Sequence, residues 1–156
     1  MVFTKEELKS LLNRLQNDPN NRFDLDYFSE KNPDPYIWKA ILEGTEGSIY
    51  ENGYYMIKID LQNYPDYCPS VTFLNKIFHP HVSSSGHACI HPGSNDILAV
   101  LECVENMFIY YDDNIGDAYN HEPTQTYNED KNKFIQIAQQ WVREYAKIDD
   151  LDKFYD

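Results

Sequence analysis

Tyr54-Tyr55-Met56-Ile57-Lys58-Ile59-Asp60-Leu61, followed by Tyr64-Pro65-Asp66-Tyr67-Cys68-Pro69 and then Val71-Thr72-Phe73-Leu74, is the stretch that decides the fold. Tyr55, Ile57, Ile59 and Leu61 recur with a period of two, which places them together on one face of a strand. The proline-bounded segment turns the chain, and Val71 to Leu74 forms a short strand beyond it. Working upstream, Trp38, Ala40 and Leu42 share one face after the turn Asn32-Pro33-Asp34-Pro35, and Phe23, Leu25 and Tyr27 share a face before it. Four short strands in series, joined by turns, predict an antiparallel meander.

Helical spacing flanks the meander on both sides. Thr4-Lys5-Glu6-Glu7 reads as a capping box, and Leu8, Leu11, Leu12 and Leu15 then recur as one stripe, predicting a helix over 5–16. Residues 75–96 have no period and carry Pro80, Gly86 and Pro92-Gly93, so they read as a long loop, and such loops inside compact domains are usually functional. Leu98, Leu101, Val104 and Phe108 predict one helix after it. Phe134, Ile137, Ala138, Trp141, Val142 and Tyr145 predict another near 129–147. The class is therefore α+β: an N-terminal helix, a four-stranded antiparallel meander, a long loop and C-terminal helices. Residues 1–148 form one domain, and 149–156 are an acidic tail expected to fray.

The chain has 156 residues with 42% apolar content, enough for one core, and a formal net charge of -13. That balance excludes phosphate backbones and anionic membranes as direct partners, because binding there needs clustered Lys and Arg. No stretch approaches the roughly 20 apolar residues of a membrane span. The opening MVFTKEELKSLL carries acids and no small-residue cleavage site, so it does not read as a signal peptide. Three cysteines, Cys68, Cys89 and Cys103, are an odd and widely spaced set, which fits a reducing cytoplasm or nucleus.

Four strings, in order, resemble the ubiquitin-conjugating enzyme family over roughly residues 4–147. Trp38-Lys39-Ala40 with Gly44 and Ser48-Ile49-Tyr50-Glu51-Asn52-Gly53 resembles its W-x-A…G…S-x-Y-x-G-G run. Tyr64-Pro65-Asp66-Tyr67-Cys68-Pro69-Ser70-Val71-Thr72-Phe73 resembles Y-P-x-x-P-P-x-V-x-F. Lys76-Ile77-Phe78-His79-Pro80-His81-Val82 leading to Gly86-His87-Ala88-Cys89-Ile90 resembles K-I-x-H-P-N-[VI]…G-x-[IV]-C-L. Ala138-Gln139-Gln140-Trp141 with Tyr145-Ala146 resembles the family's last helix.

The resemblance implies that Cys89 accepts ubiquitin or a ubiquitin-like modifier from an activating enzyme as a thioester. It implies transfer onward to a lysine amine or to a ligase, whose identity the sequence leaves open. A thiolate is a good nucleophile and a thioester a good acyl donor, which suits that chemistry. No cofactor is implied, since ATP is used by the activating enzyme. His79 and Pro80 are implied to be structural neighbours of the site. Cys68 and Cys103 read as packing residues.

The chain departs from the pattern in several places. His81 stands where the family has Asn; its ring can donate to an oxyanion or brace the loop. Asp117 falls in the region aligned with D-P-N-P-D and is the candidate to orient and deprotonate the amine; the alternative is a solvated loop acid. Asp66, beside Tyr67, replaces the bulky apolar residue of the ligase-facing loop. Gly93-Ser94-Asn95-Asp96-Ile97 stands where the family has W-S-P-A.

Three rival readings remain. One is an inactive family variant that only binds ubiquitin or a partner. Another is a metal site, since His79, His81, His87 and His91 surround Cys89, but their spacing matches no common closed zinc geometry and no metal is assigned. The third, a thiol redox enzyme, would want a resolving cysteine near Cys89, and none lies within ten residues in sequence.

Overall fold

The computed structural model describes residues 1–118 and 120–156, with Asp117 described by its backbone. Thr4 closes the expected capping box: its hydroxyl accepts from Glu7 N–H, and the Glu7 carboxylate accepts from Thr4 N–H. Helix α1 (Lys5–Gln16) follows and buries Leu8, Leu11, Leu12 and Leu15. Strands β1 (Asp24–Tyr27), β2 (Ile37–Glu43), β3 (Tyr54–Asp60) and β4 (Ser70–Phe73) then pair antiparallel in the order β1-β2-β3-β4. The register lines up two apolar rows across the sheet: Leu25, Ala40, Ile57 and Phe73, then Tyr27, Trp38, Ile59 and Val71. This is the α+β meander the alternation predicts.

Helices α2 (Ile97–Asn106), α3 (His121–Glu129) and α4 (Lys131–Tyr145) complete the fold, and α1, the sheet, α2 and α4 contribute to one continuous core. Two details differ from the sequence reading. Helix α2 buries Ile97, Val100, Leu101 and Val104 and stops at Asn106, so Phe108 is not on its stripe. Phe108 instead lies beyond the helix, fully buried and stacked on Tyr55 with ring centres 5.4 Å apart. Helix α3 carries no periodic apolar signal in the sequence, because Pro123 is its one buried residue. Among the described residues no helix is long and apolar enough to cross a membrane.

The C-terminal segment corrects an expectation. Residues Ile148–Phe154 form a 3-10 segment, and Leu151 is 2% exposed, so the end is docked rather than frayed. Ile41 and Met56, paired across the sheet, line a hollow together with Asp24 and the tail residue Tyr155, and Met56 is fully buried. Burial of Leu151 contributes to holding the tail down. The Tyr155 ring lies 4.2 Å from the Lys39 ammonium, itself buried. The Asp156 carboxylate accepts from Ser29 Oγ and from the backbone N–H of Glu30 and Lys31.

Candidate active site

The loop after β4 is aperiodic in sequence yet fixed at its root. The Asn75 amide donates to the carbonyls of Tyr54 and Tyr145 and accepts from Met56 N–H, joining β3, α4 and the loop. Ile77 and Phe78 enter the core. His79 is fully buried; its Nε2–H donates to the Met107 carbonyl at 2.8 Å, and its Nδ1 accepts from His81 N–H at 3.0 Å. These partners set one neutral tautomer, and burial holds the ring's pKa down at about 3. Tyr50 stacks on it, and the Tyr50 hydroxyl donates to the Phe78 carbonyl.

Beyond Pro80 the chain folds back on itself. Val82 and Ala88 form an antiparallel bridge, and Thr72 pairs with His87, so the returning arm extends the sheet past β4. Gly86 sits at φ +91°, and a Cβ there would fall 2.0 Å from the Phe73 carbonyl oxygen, which accounts for the glycine. Cys89 N–H donates to the His81 carbonyl at 2.9 Å, and the His81 ring donates through Nε2 to the Asp113 carbonyl at 2.6 Å. Cys89 is a free, half-buried thiol on a cleft of about 300 Å³ that also receives His81, His91, Cys103, Tyr110 and Asp113. Its sulfur lies 3.8 Å from Nε2 of His91.

A family model for ubiquitin-conjugating enzymes matches residues 4–142, nearly the whole chain. The chain belongs to the ubiquitin-conjugating enzyme family. It is 34% identical over 117 residues to "Ubiquitin conjugating enzyme E2 B" of Dictyostelium discoideum, covering 70% of this chain and 78% of that protein. It is 27% identical over 142 residues to "Probable ubiquitin-conjugating enzyme E2 L460" of Acanthamoeba polyphaga mimivirus, covering 87% of this chain and 90% of that protein.

Within this ubiquitin-conjugating fold the residues singled out from sequence fall in three places. Cys89, His81, His79 and Pro80 come together around the loop. Asp66 and Tyr67 lie on the turn before β4; Asp66 pairs with the Met1 ammonium, and Tyr67 is 71% exposed. Asp117 contributes its backbone to the 3-10 turn Ile115–Asp117, and its side chain lies outside the described residues. The segment replacing W-S-P-A has work of its own: the Asn95 amide donates to the Pro65 carbonyl, and Asp96 caps α2 through Ala99 N–H.

One cysteine reading shifts and the other does not. Cys68 is half-buried beside the core, and burial pushes its thiol pKa up. Cys103 is not sealed in the core: it lines the same cleft as Cys89, a proximity that distance along the sequence conceals. Among the described residues no three His, Cys, Asp or Glu side chains converge on a common point, and His79 has both ring nitrogens engaged by backbone. The residue that sequence reading placed only in the metal set is His91. The available signal was its position two residues after Cys89.

Proposed function

We propose that Cys89 accepts the C-terminus of ubiquitin or a ubiquitin-like modifier from an activating enzyme as a thioester, and passes it to a lysine amine or to a ligase. The observation that carries this reading is a free, accessible sulfur whose backbone is pinned to His81 on an otherwise pre-formed cleft. Two large proteins can reach such a sulfur in turn. His81 has its Nε2–H committed to Asp113, so in the neutral ring it acts first as a brace of the loop opposite the thiol. Asp117 is the candidate acid for the incoming amine. Asp66 and Tyr67 are the candidate ligase-facing residues. Three unpaired cysteines support a cytoplasmic or nuclear setting.

The test is incubation with activating enzyme, ATP and a set of candidate modifiers, read on a non-reducing gel. An adduct removed by reductant and lost in Cys89→Ala is expected. An adduct that persists in Cys89→Ala overturns the assignment. No adduct with any modifier leaves a family member that binds without carrying.

A further inference from the structure

Ile90 packs against the core, and the residues on either side of it, Cys89 and His91, meet at the cleft. The separation of 3.8 Å between Cys89 Sγ and His91 Nε2 lets the thiol donate to an imidazole in its Nδ1–H form. The other titratable groups on this cleft are His81, Cys103, Tyr110 and Asp113, and no Lys or Arg is among its described lining residues. Of the two imidazoles, His81 cannot accept through Nε2, because that nitrogen donates to the Asp113 carbonyl. His91 is exposed and has no such commitment through its Nε2, whose partner is the sulfur itself.

We propose that His91 is the general base that loads Cys89; this rests on the reading of Cys89 as the acceptor. As Sγ attacks the carbonyl carbon of the incoming thioester, the thiol proton passes to His91 Nε2 and a new S–C bond forms. The C–S bond to the donor cysteine then breaks, its electron pair leaves on the donor sulfur, and His91 returns the proton to that thiolate. One thioester and one thiol enter, and one of each leaves.

The test separates the thiol's reactivity from the protein's activity. Alkylation of Cys89 by iodoacetamide is followed by peptide mass spectrometry between pH 5.5 and 9.5 in the native chain and in His91→Gln. Because His91 is on the surface, the substitution leaves the core untouched. At about pH 6 the native thiol should react about tenfold faster, a conservative share of what a positioned base contributes. The two profiles should converge above about pH 9, where a thiol ionises unaided. Loading by activating enzyme should slow by a similar factor in His91→Gln, and free imidazole should restore part of it in His91→Ala. Superimposable alkylation profiles, or equal loading, would overturn the role of His91 and leave Cys89 as the acceptor. Failure of the native chain to load any modifier would overturn both.

Discussion

In the sheet, Leu25, Ala40, Ile57 and Phe73 form one row through four strands, and the ladder beneath them is continuous. In residues 75–96 the chain is held by separate bonds: the Asn75 amide, the His79 ring, the Val82–Ala88 bridge, Cys89 N–H on His81, and Asn95 on Pro65. The first region is ordered by shared apolar area, which many residues supply together. The second buries Ile77, Phe78, Val82 and Ala88 but is otherwise ordered by single polar contacts, each able to fail alone. One substitution in the sheet therefore costs stability everywhere, whereas in the loop the cost is global at a buried group such as His79 and local at an exposed contact such as the His81 ring.

That contrast can be tested at four positions. Phe108→Ala removes a fully buried ring between Tyr55 and Phe73 and should lower unfolding free energy in urea by about 3–5 kcal/mol. Loss confined to the cleft, with the global midpoint unmoved, would erase the distinction.

Acid should act on the loop first. The buried His79 ring is held below its ordinary value of 6.5, at about 3, so the neutral form's contribution is complete above 6.5 and is lost as pH falls toward 3. Between pH 7 and pH 5 the cost should be about 2 kcal/mol, read as a falling urea midpoint. A midpoint flat across that window would show that His79 is not the rivet described.

His81→Ala deletes the bond to the Asp113 carbonyl and should cost about 1 kcal/mol. Amide exchange should quicken around 110–114, while thioester formation is spared and discharge to free lysine slows. Loading and discharge falling together would mean that the whole loop had collapsed.

The smallest effect belongs to the tail. Asp156 is held at about 2 by its hydrogen bonds to Ser29 and Glu30, so its docking contribution is present above about pH 3.8 and is lost as pH drops to about 2. Asp156→Asn should abolish that step and raise amide exchange at Glu30 and Lys31 at neutral pH. Unchanged exchange there would show that Leu151 and Tyr155 hold the tail unaided.

The meander was legible because period-two alternation reports burial on one face directly, as at Tyr55, Ile57 and Ile59. Helix α1 was legible from its cap and leucine stripe. Helix α3 was not, since a helix that buries little but Pro123 leaves no stripe to read. The docked tail escaped for a related reason: Tyr155 shares a hollow with Ile41 and Met56, on the sheet face that alternation assigns to solvent. At the site, family resemblance placed Cys89 and His81 in one loop, but the sharing of one cleft by Cys103 and Cys89 depends on how α2 packs. The contact with His91 depends on the path through Ile90. Neither is a periodic signal.

The hydrogen bond from Cys89 N–H to the His81 carbonyl also has an entropic side. It closes the arm that carries the thiol onto a segment already riveted through His79, so the sulfur keeps its own rotor but its backbone has few places left to go. A free loop would have to surrender about 1–2 kcal/mol per residue of backbone entropy when a large protein settled on it. Here that loss is taken during folding, so more of the contact energy of any protein that docks over the thiol goes into association itself.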